Sequence, residues 1–445
     1  MMENIRIQCP CGELEGERED GVCRFLGIRY AVAERFSYPE EVTGWDGLYD
    51  AHRYGDAPVQ KMAFDPMDCN DPGNFFEHET MRDVPCRYSE DCLNLNIWTP
   101  ADAENAPVLI SIFGGGEVTG RTHELPYDGT ALAKKGVIVV FISYRLNIFG
   151  FLALKALAER DGKSGNYAYY DQYTAIQWVR HNIQAFGGDP ENMTLAGQSA
   201  GAANCETQIK SPLNKGVFRQ AIIQSSAGFT TVLKAKDNRE KEYRKWQLIF
   251  DRSGCKTLEE FLSLPAETLF RLFEQASASK PGFCTTVYDD AFGSAAKNQP
   301  CETKIMIGIT SDDVFPAVLY VFSELLYKSQ RKGGVETYRY FFQRQLPGDQ
   351  HGAWHSSDLW YFYGALKKCW RPFLPEDYEL ADRMQRYTVN FMRSGDPNGE
   401  GLAQWTPVGQ SRNDSLSLDA DTVKMGNPGF WHLIRKTLSG KSPGL

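Results

Sequence analysis

At 445 residues the chain exceeds the usual single-domain range of about 100–200 residues, although enzymes built on one large sheet reach this length undivided. Its 57 acidic against 48 basic side chains leave a net charge of −9, which speaks against nucleic acid and anionic membranes, partners that select for basic patches. Apolar residues at 42% and charged residues at 24% lie near the globular average, so a sizeable core is expected.

From the N-terminus, residues 5–50 alternate short β-like runs with turns, as in a small antiparallel edge. Glu3, Arg6, Glu13, Glu15, Glu17 and Arg18 interrupt this region, and nothing in it resembles the apolar stretch of a signal peptide. The expectation is a cytoplasmic protein or a mature chain. Past residue 93 the rhythm changes. Buried-type strands are predicted at Val108–Phe113, Val137–Ser143, Met193–Ala196, Ala221–Gln224 and Lys304–Ile309, with helical stretches such as Tyr169–Gln184 between them. Even the most apolar run, Val137–Ile142, is far shorter than the roughly 18 residues a membrane span needs. This alternation implies an α/β fold, a large and largely parallel sheet covered by helices on both faces, with chemistry at the strand C-termini. An insertion near 230–300, helical over roughly 237–277, is expected to cap the sheet. No linker divides the chain, so one domain over 1–445 is expected.

Eleven cysteines are scattered and odd in number, with no CxxC pair, and Cys9, Cys11 and Cys23 lack zinc-ligand spacing. Mostly free thiols are expected, with no metal and no organic cofactor.

Gly197-Gln198-Ser199-Ala200-Gly201 follows a predicted strand and opens a small-residue helix. In that setting Gly-x-Ser-x-Gly forms a sharp turn that exposes a serine and points helix N–H groups at a developing oxyanion. A hydroxyl needs a base, and in this fold the order is serine, acid, histidine. Of seven histidines, only His351, His355 and His432 follow Ser199. His432 sits in an amphipathic C-terminal stretch suited to packing. His351 and His355 share a loop ahead of a helix expected near Ser356–Asp358, with His355 mildly favoured. The strand ending in Asp312 and Asp313 offers the best acid, and Asp289 with Asp290 forms a second pair without such a strand. Phe113-Gly114-Gly115-Gly116 ends another strand, where glycines let backbone N–H groups crowd a substrate oxygen. A phosphate loop at Gly162-Lys163-Ser164 is rejected, because Leu157 stands where that loop requires glycine.

Together these residues resemble the type-B carboxylesterases, a family that includes cholinesterases and bacterial esterases. Glu90–Pro100 (EDCLNLNIWTP) and Phe186–Gly201 (FGGDPENMTLAGQSAG) are close to its signatures. Gly21–Ala31, Tyr144–Phe151 and Gly395–Asn398 add matches along nearly the whole chain. The resemblance implies an α/β-hydrolase fold acting on small-molecule esters through a triad. Its histidine motif aligns with Gly352-Ala-Trp-His355, and its acid motif with Gly308–Val314, which assigns Asp313. Gly115, Gly116 and Ala200 would supply the oxyanion N–H groups. Four departures stand out. Asp313 replaces the usual glutamate, so either the histidine loop approaches more closely or Asp312 substitutes. Phe113 and Glu117 flank the glycines and both are expected as substrate contacts, Glu117 placing a carboxylate near the site entrance. Gln60 stands where secreted relatives begin a disulfide. His355 follows Asp313 by only 42 positions, which implies a reduced helical wall and a more open site. Hydrolysis of aromatic esters, amides or carbamates by the same triad, or a non-catalytic binding role, are the alternatives. Oligomeric state stays open.

Overall fold

Strands in the middle of the chain are buried at every position or nearly so, as a sheet covered on both faces requires. The computed structural model describes residues 2–228, 237–278, 282–292, 302–411 and 414–439. Ala106–Ile112 (APVLISI) and Ile138–Ile142 (IVVFI) have no exposed residue. Glu3–Cys9 instead exposes Asn4, Arg6 and Gln8 and turns Ile5 and Ile7 inward, the alternation of an edge with one wet face.

The main sheet contains 13 strands among the described residues. We number β1 Glu3–Cys9, β2 Gly12–Glu19, β3 Val22–Arg29, β4 Asn94–Pro100, β5 Ala106–Ile112, β6 Ile138–Ile142, β7 Gly188–Gln198, β8 Phe218–Gln224, β9 Lys304–Thr310, β10 Thr337–Phe342, β11 Leu416–Leu418 and β12 Val423–Met425, with Tyr49–Asp50 pairing beside β2. Their order is β1-β2-β3-β4-β6-β5-β7-β8-β9-β10-β11-β12. The block from β6 to β11 is parallel, whereas β1 to β4 and β12 join antiparallel. The five predicted central strands all occur. Strand β7 runs well beyond the predicted Met193–Ala196, because Gly188 also pairs with Ala106, the intervening Asp189–Asn192 forming an irregularity in the ladder. Strands β10 to β12 have no counterpart among the predicted elements.

The helices used below are α1 Phe75–Thr80, α2 Tyr167–Asn182, α3 Ala200–Lys210, α4 Arg239–Ser253, α5 Leu258–Leu262, α6 Ala266–Ser277, α7 Pro316–Lys332, α8 Leu359–Phe362, α9 Pro375–Ser394 and α10 Phe430–Ser439. Helices α4 to α6 lie in the segment expected as a cap, of which 230–236, 279–281 and 293–300 fall outside the described residues. Trp246, Ile249, Phe261, Leu269, Phe270 and Phe273 bury its apolar faces. Among the described residues no helix is long and apolar enough to cross a membrane. All ten described cysteines are free, as expected, and Cys301 lies outside the described residues.

Candidate active site

Central strand β7 ends at Gln198 and α3 begins at Ala200, so Ser199 alone makes the turn. Its backbone sits at φ 57° and ψ −127°, a region costly for any residue with a Cβ, and such strain persists only where the surroundings over-determine it. They do so here. Ser199 N–H donates to Gln224 O of β8 at 2.9 Å, and Ser199 O accepts from Ala202 and Ala203 N–H. Helix α3 lies so close to β5 that a Cβ on Gly201 would stand 2.2 Å from Ile112 O.

Asp313 follows β9, the strand beside β8, and its carboxylate is fully buried. Oδ1 lies 2.7 Å from His355 Nδ1 and accepts from Val314 N–H at 2.8 Å. Oδ2 accepts from Ser225 Oγ at 2.6 Å and Thr310 Oγ1 at 2.8 Å. Burial pushes this carboxyl up, but the charge and hydrogen bond of His355, with Ser225 and Thr310, hold it below the ordinary aspartate value. Burial pulls the His355 imidazole down, and Asp313, aided by Asp358, lifts it above the ordinary histidine value. A proton on Nδ1 leaves Nε2 as an acceptor, and the Gln198 side-chain amide meets it at 3.0 Å. Among the described residues Ser199 Oγ makes no hydrogen bond to His355, so Gln198 occupies the face of the ring that a serine proton would need.

The loop after β5 packs onto this turn. Gly115 has φ 104°, and a Cβ there would lie 2.1 Å from Thr119 O, so no side chain is tolerated. Within the described residues the N–H groups of Gly115, Gly116 and Ala200 donate to no other residue. Gln60, foreseen only as a lost disulfide, braces this loop: its Oε1 accepts from Thr119 Oγ1 at 2.6 Å and Gly120 N–H at 3.1 Å, and its Nε2 donates to Gly120 O at 3.0 Å.

Two flanking residues differ from expectation. Phe113 is buried and stacks on Tyr144 with ring centroids 4.5 Å apart, so its ring belongs to the core. Glu117 is an interior group rather than an entrance carboxylate. Its backbone O accepts from Asn147 N–H at 2.7 Å, and its side chain reaches inward to Asn204 of α3, whose Nδ2 lies 3.4 Å from Oε2. Burial pushes the Glu117 carboxyl up to about 8 against the opposing pull of Asn204.

The remaining candidates lie elsewhere. His351 is exposed and meets Phe75 edge-on, and His432 is exposed on α10. Asp289 caps its own turn through Ala291 N–H and binds Asn166 Nδ2 at 2.9 Å. Two buried features escaped sequence reasoning. Asp358 Oδ2 accepts from Tyr340 OH at 2.8 Å and Gln224 Nε2 at 3.1 Å, while burial first and then Asp313 push its carboxyl up to about 6. Arg371 joins α1 to the histidine loop, binding both oxygens of Glu79 at 2.9 Å and Pro347 O at 2.9 Å. No motif marks a pair 292 positions apart. Among the described residues no group of three or more His, Cys, Asp or Glu is arranged to hold a metal.

Comparison with known proteins gives this geometry its context. The pattern of the carboxylesterase family matches residues 3–325 and 313–431. Para-nitrobenzyl esterase of Bacillus subtilis (strain 168) is 27% identical, the alignment covering 94% of this chain and 95% of that one. Carboxylesterase 5A of Mus musculus is 29% identical over 89% of this chain and 81% of its own. A Geobacillus stearothermophilus carboxylesterase superposes with a TM-score of 0.75 at 28% identity, covering 97% of this chain and 99% of that one. An esterase of Clostridium hathewayi shares the fold at a TM-score of 0.81 and 24% identity, over 99% of this chain and 100% of its own. The chain belongs to the carboxylesterase family, on an α/β-hydrolase fold, and is a carboxylic ester hydrolase.

Proposed function

We propose that this ester hydrolase works by two-step acyl transfer through Ser199, His355 and Asp313, with the N–H groups of Gly115, Gly116 and Ala200 as oxyanion donors. The observation that carries the reading is the 2.7 Å contact between His355 Nδ1 and Asp313 Oδ1 at the strand ends beside the strained Ser199 turn. Nε2 exchanges the Gln198 amide for the Ser199 hydroxyl, a tightening expected once substrate is bound. Ser199 Oγ then attacks the ester carbonyl, and its proton passes to Nε2. Asp313 holds the tautomer and steadies the imidazolium, which protonates the leaving alcohol. Water activated by the same nitrogen releases the acid. One continuous sheet from Glu3 to Met425 supports reading residues 1–445 as a single domain. Only α7 and β10 lie between Asp313 and the histidine loop, which supports a reduced wall and an open site.

The test is hydrolysis of p-nitrophenyl esters of increasing acyl length and of a p-nitrobenzyl ester, the latter suggested by the name of the Bacillus relative. A fluorophosphonate is expected to label the Ser199 peptide; hydrolysis of no ester, with no label, would sink the reading. Because the base must be neutral and its pKa is raised, kcat/KM is expected to rise through a midpoint above the ordinary histidine value of about 6.5. A midpoint below that value would contradict the Asp313–His355 pairing. Gly115→Ala, which drives a methyl into Thr119 O, is expected to lower kcat by about 10²–10³-fold, the loss of one oxyanion donor. An unchanged kcat would remove Gly115 from the oxyanion site.

A further inference from the structure

The neighbouring carboxylates in the turn after β9 are aimed at different targets. Asp313 meets the imidazole, whereas Asp312 meets the backbone of the segment that carries it. Asp312 N–H donates to Ala353 O at 3.0 Å. Its Oδ2 accepts from Ala353 N–H at 3.1 Å and from Ser311 Oγ at 2.8 Å. Asp312 forms an isolated parallel bridge with Trp354, and its carboxyl lies so close to Gly352 that a Cβ there would stand 2.6 Å away. The other oxygen, Oδ1, is paired with Lys436 Nζ of α10. That ion pair borders a cavity of about 410 Å³, which His351, His432 and Gln350 also line. Trp354 is buried edge-on against Phe75 and Phe76. The two residues before His355 are therefore held by one carboxylate and one aromatic cluster.

We propose that Asp312, braced by Lys436, is a positioning residue that fixes the 352–355 segment so that His355 stays over Asp313, tying the C-terminal helix to the catalytic base. This rests on the triad reading above. A base displaced by about 1 Å loses on the order of 100-fold in rate, so a clamp one residue from the acid has leverage.

The test compares Asp312→Asn, Lys436→Met and Lys436→Arg in the full chain by kcat, KM, the pH profile of kcat/KM and Tm. Asp312→Asn is expected to lose roughly 10- to 100-fold in kcat with KM within about twofold. Lys436→Met should lose less in the same direction, and Lys436→Arg should keep wild-type values. The pH profile separates a clamp from a through-space charge. Among the groups facing His355 are Asp313, Asp358 and Gln198, and among the described groups near Asp312 are Lys436 and Ser311, with His351 and His432 lining the same cavity. Deleting the Lys436 charge alone would raise the histidine pKa and move the acid limb upward. Loosening the Asp313 contact lowers it, so both Asp312→Asn and Lys436→Met should move the limb down by about half a pH unit. An upward or absent shift in Lys436→Met, or wild-type kcat in either variant, overturns the proposal. So does a loss in Asp312→Asn as deep as that of Asp313→Asn, which would put Asp312 on the ring itself. If Asp312→Asn does not fold, Lys436→Met decides alone, its side chain being 35% exposed. Ser199→Ala run alongside keeps the two readings apart: activity surviving there overturns the triad, whereas activity lost there and unchanged in Asp312→Asn overturns only the clamp.

Discussion

Ser199→Ala is expected to abolish ester hydrolysis, a kcat loss of about 10⁶-fold, while Tm stays within a degree or two of the wild type. The two halves of that expectation have separate physical causes. Alanine keeps the Cβ that already tolerates φ 57°, and Ser199 Oγ makes no hydrogen bond among the described residues, so no contact of the fold is lost. The backbone bonds to Gln224 and from Ala202 do not involve the side chain. What disappears is the only atom at the turn able to form an acyl-enzyme, and with it fluorophosphonate labelling. Residual turnover of about 10³–10⁴-fold over water is still expected from the oxyanion N–H groups and binding alone. Steady-state kinetics on a p-nitrophenyl ester with the purified variant measures both halves. A variant that keeps more than a percent of wild-type kcat would show that another nucleophile acts.

How much of this could be read from the chain depends on how local each feature is. The Ser199 turn is encoded within a dozen contiguous residues: an apolar strand, two flanking glycines and a small-residue helix start. Asp313 was narrower, because two adjacent aspartates follow the same strand and local sequence does not say which of them meets the ring. Only the resemblance to the family assigns Asp313, from outside the residues themselves. His355 and His351 were separable for a similar reason only through the aligned motif. What stayed illegible depends on contacts distant in sequence. Strand β10 buries Arg339, a residue that argues against a core strand until Glu324, Asp414, Ser323 and Ser415 are seen around it. Strands β11 and β12 have three residues each, too few for any period to emerge. Glu117 reads as a loop carboxylate, and only the left-handed backbone at φ 66° turns it inward to Asn204. Gln60 reads as a missing cysteine, whereas three hydrogen bonds make it the brace of the glycine loop.

Asp313→Asn is expected to lower kcat by about 10⁴-fold with little change in KM, and the direction of the hydrogen bonds explains why. A carboxylate accepts on both oxygens, and here all four neighbouring donors, His355 Nδ1, Val314 N–H, Ser225 Oγ and Thr310 Oγ1, point at it. An asparagine amide presents two N–H donors on one side and must turn them toward groups that already donate. If the amide nitrogen faces Nδ1, the ring shifts its proton to Nε2, the atom that has to take the serine proton, and the base is lost. If it faces Ser225 and Thr310 instead, their hydroxyls can reverse, but the imidazolium formed during attack has no negative charge beside it. Either orientation removes the interaction that raises the His355 pKa, so whatever activity remains should show its acid limb at lower pH than the wild type. Asp313→Glu makes a different demand. The direct 2.7 Å contact leaves no space for a further methylene in a fully buried position, so the longer side chain must push the histidine loop outward or fold back on itself. A loss of roughly 10- to 100-fold is expected, even though glutamate is the residue that the resemblance led one to expect. Steady-state kcat and KM on one p-nitrophenyl ester, measured across pH for both variants, check this ordering. Wild-type kcat in Asp313→Asn would move the acid role off Asp313, and full activity in Asp313→Glu would show that the shorter side chain is not matched to a closer histidine loop.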